Sequence, residues 1–299
     1  MPARVFVPWV ALISTLFIVG VTGGPASAAP DADTQKTALV TVVAGADAAQ
    51  RDLTPRDFIV REDKSPRQVV AAEPATETLS IALLLDTTKQ PMGNSWPIQD
   101  IRSALSTFVK TVQGASPDAE IAFMEIAGAA VMRVDFTNKT AELDKAIQRI
   151  VPDQRTDSVM LEALSDVSKR LLQKPGPRRA IVTIDFGSQD TSALNMIKKV
   201  PDDVHKAGTT LWAISLVGSV MNNAPAREAM LSAVAEANGG MRMHATAATG
   251  LETLLKQVAN SLLSQYEITF MAKQATPDPK KITMETTKGA KVLLSPWMR

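Results

Sequence analysis

The sequence predicts a doubly wound α/β domain. It has a mostly parallel sheet with one antiparallel edge strand, helices on both faces, and a small β lobe built from the two ends of the chain. Three observations carry this reading. Two strongly apolar runs stand out: 79–85 (LSIALLL) leads into Asp86, and 179–185 (RAIVTID) ends in Asp185. Strands that are apolar on both faces belong in the middle of a parallel sheet. Between and after them, apolar runs alternate with stretches of helical periodicity, the pattern of βαβ units. At 37–75 and 266–294 helical periodicity disappears and only short β-rich runs remain.

In chain order, residues 1–28 read as a signal peptide. Arg4 gives a positive start, 9–21 is an apolar core too short for a comfortable membrane span, and Ala26-Ser27-Ala28 is an A-x-A cleavage signal. Export to the periplasm or beyond is expected. Uncleaved, the same segment would be an N-terminal anchor, which is the one membrane contact expected. Residues 29–77 form an N-terminal β segment with strands at 37–43, 57–62 and 67–72, separated by turn-like stretches around Pro55 and Pro66.

Residues 78–265 form the α/β domain. After the strand at 79–85, Ile98, Ile101, Leu105, Phe108 and Val112 mark a helix. The runs 119–126 and 131–136 are too close for a crossover helix, so they should form an antiparallel hairpin. Helices are expected at 140–151 and 158–173, the latter ended by Pro175-Gly176-Pro177. The strand at 179–185 is followed by a helix at 191–206, which Pro201 should break or kink. A strand at 210–216, a helix at 225–237, a short edge strand at 241–245 and a helix at 248–265 complete the domain. The C-terminal segment 266–299 carries strands at 266–272, 281–285 and 291–294. These should pair with 37–75, because neither set buries an apolar face alone.

Composition excludes several classes of function. Of 299 residues, 45% are hydrophobic and 21% charged, with a net charge of +1, so no broad basic face for nucleic acid is implied. Aromatic content of 4% argues against base-stacking platforms. There is no cysteine, hence no disulfide, thiol nucleophile or cysteine-ligated zinc. The two histidines, His205 and His244, each stand apart from any triad-like neighbour. No G-x-G-x-x-G or G-x-x-x-x-G-K-[ST] motif supports nucleotide binding.

What remains is a constellation of oxygen-bearing side chains. Asp86 and Thr88 follow the first apolar strand, Thr156 and Asp157 precede the helix near 158, and Asp185 ends the second apolar strand. If those two strands are adjacent, the aspartates converge at the sheet's switch point, where open α/β sheets bind ligands. Carboxylate and hydroxyl oxygens suit Mg²⁺ or Mn²⁺.

These residues resemble the metal-ion-dependent adhesion site of von Willebrand factor type A (VWFA) domains, and the chain resembles the bacterial VWFA-related subfamily. The family pattern Asp-x-Ser-x-Ser, then threonine, then aspartate is matched by Asp86, Thr88, Thr156 and Asp185. Further likeness lies in 53–58 (LTPRDF), 61–63 (RED), 234–240 (VAEANGG) and 264–266 (SQY). The resemblance implies a metal-centred protein-binding site with Asp86, Thr88, Thr156 and Asp185 as ligands, completed by a partner's acidic side chain. Three departures make the site degenerate. Gln90 stands at the second serine, Phe186 replaces the usual glycine after Asp185, and Lys89 lies between ligand positions. In a degenerate site Lys89 and Asp157 are the groups left to meet a partner. The function expected is non-enzymatic protein binding by an exported protein. A hydrolase using the same pocket and a structural subunit of an envelope assembly are the alternatives.

Overall fold

The computed structural model describes residues 33–88, 97–153, 155–216, 225–273, 279 and 281–299. The expected signal peptide lies outside the described residues, as do Lys89 and Gln90. Among the described residues no helix is long and apolar enough to cross a membrane.

The central sheet has six strands: β5 (Ser80–Asp86), β6 (Glu120–Ile126), β7 (Ala130–Thr137), β8 (Arg179–Asp185), β9 (Thr209–Leu216) and β10 (Met241–Ala245). Their order is β10-β9-β8-β5-β6-β7. All neighbours are parallel except β6 and β7, which form the expected antiparallel hairpin. The helices are α1 (Ile98–Ala115), α2 (Thr140–Ile147), α3 (Met160–Leu172), α4 (Met196–Lys206), α5 (Pro225–Ala237) and α6 (Leu251–Leu263). One core layer packs α1, α2 and α6 against one face of the sheet, around Leu83, Phe108, Trp212 and Leu255. The other packs α3, α4 and α5 against the opposite face, around Leu84, Leu164, Val204 and Leu231. Every residue of β5 is buried, which is why its sequence shows no alternation.

The β lobe joins both ends of the chain. Its four-stranded sheet runs β13-β1-β11-β4 and its three-stranded sheet β12-β2-β3. The strands are β1 (Asp33–Val42), β2 (Phe58–Glu62), β3 (Ser65–Arg67), β4 (Val69–Pro74), β11 (Gln265–Lys273), β12 (Ile282–Thr286) and β13 (Val292–Met298). β1 pairs antiparallel with β11 and β13, β4 with β11, and β2 with β12. Val40, Phe58, Val60, Tyr266, Phe270 and Met284 fill the space between the two sheets. The Tyr266 hydroxyl accepts from the Leu53 amide at 3.2 Å and donates to the Gln50 carbonyl at 3.2 Å.

The lobe sits at the amino ends of the central strands. The Ala75 amide bonds the Gln265 carbonyl and the Ser80 amide bonds the Arg178 carbonyl, both at 2.9 Å. The buried Arg178 guanidinium reaches Gln265 Oε1 at 3.0 Å and the carbonyls of Glu77 and Leu262 at 2.9 and 3.1 Å. Gly239 and Gly240 permit the close approach of β10 to its surroundings. A Cβ on Gly240 would lie 1.8 Å from the Leu211 carbonyl oxygen, and one on Gly239, at φ +67°, 2.3 Å from that of Leu294. The carboxyl ends of the strands therefore face away from the lobe.

Three expectations need correction. The single strand at 67–72 is two, because β3 and β4 belong to different sheets and the chain steps between them at Gln68. The helices expected at 158–173 and 191–206 begin later, at Met160 and Met196. Ser158 instead forms a parallel bridge with Asp190, which ties the two approach loops together. Pro201 lies inside α4 and does not end it. Its ring opposes the carbonyl of Ile197, still in the first turn, and buried Val200 and Val204 hold the helix on the sheet.

Candidate functional site

β5 and β8 are neighbours, so the two strand-ending aspartates meet at the carboxyl end of the sheet, where the connections diverge to α1 on one face and α4 on the other. Both are fully buried. Asp86 Oδ1 accepts from the Thr88 amide at 3.0 Å and from its hydroxyl at 2.5 Å, an Asx-type turn that closes the end of β5. Among the described residues Asp86 Oδ2 has no hydrogen-bond partner. Asp185 Oδ1 accepts from the Gly187 amide at 3.1 Å and Ser215 Oγ at 2.7 Å. Gly187 adopts φ +71°, a conformation that suits glycine and lets its amide turn back onto the carboxylate.

Two arginines complete the cluster. Arg227 stands in the first turn of α5, just after Pro225, and its side chain is 3% exposed. Its guanidinium lies 3.4 Å from Asp190 Oδ2, 3.6 Å from Asp185 Oδ1 and 3.9 Å from Asp86 Oδ2. Arg242 on β10 donates to Asp185 Oδ2 at 3.1 Å, to Ser215 Oγ, and in fork geometry to both oxygens of Glu228, with Nε–Oε1 at 2.6 Å. Three buried carboxylates thus share two guanidiniums, with Glu228 as outer counterion.

The two aspartates respond oppositely to this field. Burial pushes the Asp86 carboxyl above its usual range; Arg227 and Thr88 oppose that without overcoming it, and Asp185 adds to it. Burial acts the same way on Asp185, but Arg242 and Arg227, helped by Ser215 and Gly187, outweigh it and hold that carboxyl below its usual range. Burial alone would lower the Arg242 pKa; Asp185 and Glu228 reverse this and raise it.

No protein-family model and no curated protein matches the sequence. Solved structures do match the fold. A von Willebrand factor type A protein from Catenulispora acidiphila gives a TM-score of 0.53 at 8% identity, covering 90% of this chain and 73% of that one. The PilB minor pilin from Streptococcus sanguinis gives 0.50 at 14% identity, and a point variant of it 0.52 at 12%. Each pilin match covers 64% of this chain and 62% of the pilin, so this chain spans less than two thirds of the pilin's length. This is a VWFA-like fold.

Within the VWFA-like fold, the structure brings Asp86, Thr88 and Asp185 together, and Thr156 makes no hydrogen bond to any of them among the described residues. The loop before α3 does reach β5, through the Asp153 amide bonded to the Thr87 carbonyl at 2.8 Å. Yet Thr156 Oγ1 is buried without a hydrogen-bond partner, and its methyl packs where a Cβ on Gly128 would come within 3.1 Å. Asp157 is half-buried in the same loop. Phe186, in place of the usual glycine after Asp185, is buried in the core layer that also holds Leu216 and Leu251.

The family resemblance implies Mg²⁺ or Mn²⁺ at this place, and the side-chain arrangement does not fit one. A directly bound ion would sit about 2.0–2.1 Å from a carboxylate oxygen. Both Asp185 oxygens are already engaged by Ser215, Gly187 and Arg242, and Arg227 faces all three carboxylates. A divalent ion about 4 Å from that guanidinium would be repelled by on the order of 8 kcal/mol at an effective dielectric of about 20. Among the described residues no three acidic or imidazole groups are arranged to hold a metal ion. Lys89 and Gln90 lie outside the described residues; among the described residues the cations facing these aspartates are Arg227 and Arg242.

Asp190, Ser215, Arg227, Glu228 and Arg242 were not legible as site residues. Only Ser215 left a trace, as a hydroxyl closing the otherwise apolar run of β9.

Proposed function

We propose that this chain is an exported, non-enzymatic protein-binding module whose partner docks on the loops at the carboxyl end of the VWFA-like sheet without a bridging metal ion. Export follows from the N-terminal segment 1–28. The observation that carries the docking end is the distribution of exposed apolar and basic side chains. Val131, Val151 and Leu194, 38%, 74% and 93% exposed, all lie on loops or strand ends of that end. Val131 and Val151 share a cleft of about 530 Å³ with Thr87, Glu125, Arg133 and Arg155. The Arg155 side chain is 90% exposed, and among the described residues only its Nε is engaged, by Asp153 Oδ1 at 3.3 Å, so the cleft offers apolar contact beside an exposed guanidinium, a combination suited to a partner segment with an acidic side chain next to an apolar one. The β lobe occupies the opposite end and leaves this face clear. A minor pilin, PilB from Streptococcus sanguinis, has a similar fold, which is compatible with this reading.

The test is cross-linking in an envelope extract of the organism that makes this protein, comparing the wild type with Val151→Asp, Leu194→Asp and Arg155→Glu. Val70→Asp, on exposed β4 of the lobe, serves as control. Loss of the same cross-linked species in the first three variants, with retention in the control and in EDTA, supports the proposal. Retention in all three, or loss in the control alone, refutes it.

A further inference from the structure

We infer that the Arg227 guanidinium is a resident cation that takes the place of a divalent ion in this VWFA-like site, so that the site is permanently charge-loaded and blind to Mg²⁺ and Mn²⁺. The geometry is that of a substituted cation centre. One group, 3% exposed, lies 3.4–3.9 Å from oxygens of three carboxylates drawn from the end of β5, the end of β8 and the following loop. The side chains of Asp86 and Asp185 are fully buried and that of Asp190 is 6% exposed, so their charge has little solvent to fall back on. Something positive must stand between them, and the first turn of α5 delivers it. Pro225 starts the helix and Arg227 projects from the same turn, where the helix amides add to the positive field.

Two features distinguish this from an ordinary structural ion pair. Asp86 Oδ2, an oxygen that matches the family's ligand positions, is buried and lacks any hydrogen-bond donor among the described residues. Arg227 meets Asp86 only at 3.9 Å, beyond hydrogen-bond range. The guanidinium therefore neutralises the cluster without saturating its oxygens. A small ion could use them if the guanidinium were removed. Arg242 would remain to hold Asp185 in place, since it binds the other oxygen and is fixed by Glu228 and Ser215.

The inference is independent of the partner proposed above, because its test uses the mature protein alone. Mn²⁺ binding is titrated by calorimetry and by melting temperature in chelator and in millimolar Mn²⁺. The wild type should show no site-specific binding and the same melting temperature in both. Arg227→Ala should melt lower in chelator and recover with Mn²⁺, binding the ion at least about tenfold more tightly than the wild type, a shift that mass action makes visible as a higher melting temperature. Arg227→Lys, which keeps the charge, should show no gain. Adding Asp86→Asn to Arg227→Ala should abolish it. The inference is overturned if the wild type binds one Mn²⁺ and Asp86→Asn removes it, or if folded Arg227→Ala gains nothing. If Arg227→Ala and Arg227→Gln fail to fold both with and without Mn²⁺, a divalent ion cannot stand in for the guanidinium, and the inference also fails.

Discussion

Asp185→Asn and Asp86→Asn should have opposite effects on stability, although the two aspartates are neighbours and equally buried. Asp185 accepts hydrogen bonds from the Gly187 amide, Ser215 and Arg242, and has Arg227 at 3.6 Å. Neutralising it leaves two buried guanidiniums short of a counter-charge and places an amide NH₂ against a donor. Removing one partner of a buried ion pair costs about 3–5 kcal/mol. Asparagine keeps the shape and one acceptor, so the lower end, about 3 kcal/mol, applies. For a chain of this size that is a fall in melting temperature of about 6–12 °C. Asp86 has one oxygen without a donor, and burial holds its carboxyl above the usual range, so its ionised form already costs stability. Asp86→Asn should leave the melting temperature unchanged or raise it.

The pH dependence carries the same signs. The folded-state pKa of Asp185 is lowered from 3.8, so its contribution is complete above that value and is lost as pH falls through the folded-state value. That of Asp86 is raised, so its cost appears as pH climbs from 3.8 through the folded-state value. Asp185→Asn should therefore flatten the acid limb of the stability curve, and Asp86→Asn should not. Circular-dichroism melts and urea titrations of the mature protein between acid and neutral pH read both. Equal losses from the two variants, or a loss under about 1 kcal/mol for Asp185→Asn, would refute the reasoning that guanidinium compensation stabilises Asp185.

Three further outcomes follow from the fold. Gly240→Ala places a methyl 1.8 Å from the Leu211 carbonyl oxygen and should cost about 3 kcal/mol or more, seen as low soluble yield and an early melt. Tyr266→Phe leaves the buried Leu53 amide without its acceptor and should cost about 1–2 kcal/mol by urea denaturation, with the fold retained. Arg178→Met removes the donor shared by Gln265, Glu77 and Leu262, and burial already lowers the Arg178 pKa to about 10, so the group is poorly solvated where it stands. It should cost about 3 kcal/mol and loosen the lobe before the α/β domain, so that hydrogen exchange rises first in β11.

The carboxyl-end loops were legible as the site, but the cation within them was not. Apolar runs such as 79–85 and 179–185 report burial directly, because a strand covered on both faces has no polar position to offer. The aspartates that end them mark where each strand leaves the sheet. Arg227 gives no such signal. In one dimension it is a charged residue near the start of a helix, and solvent is the default place for it. Arg242 likewise reads as the outward position of an edge strand, and Asp190 as part of a polar loop. Thr156 shows the converse. Its position in the chain matches a ligand pattern, but its hydroxyl hydrogen-bonds neither aspartate.

By itself, then, the sequence determined the βαβ alternation, the antiparallel hairpin at the sheet edge and the pairing of the two chain ends in one lobe, whereas the meeting of Asp86 with Asp185 waited on the adjacency of β5 and β8. The first three follow from hydrophobic periodicity, which is local. Tertiary structure alone decided which cation meets the aspartates. That choice depends on α5 and β10 arriving over the end of the sheet, and on buried carboxylates drawing in whichever positive groups packing brings within a few ångströms. Such long-range electrostatic pairing leaves no period in the chain.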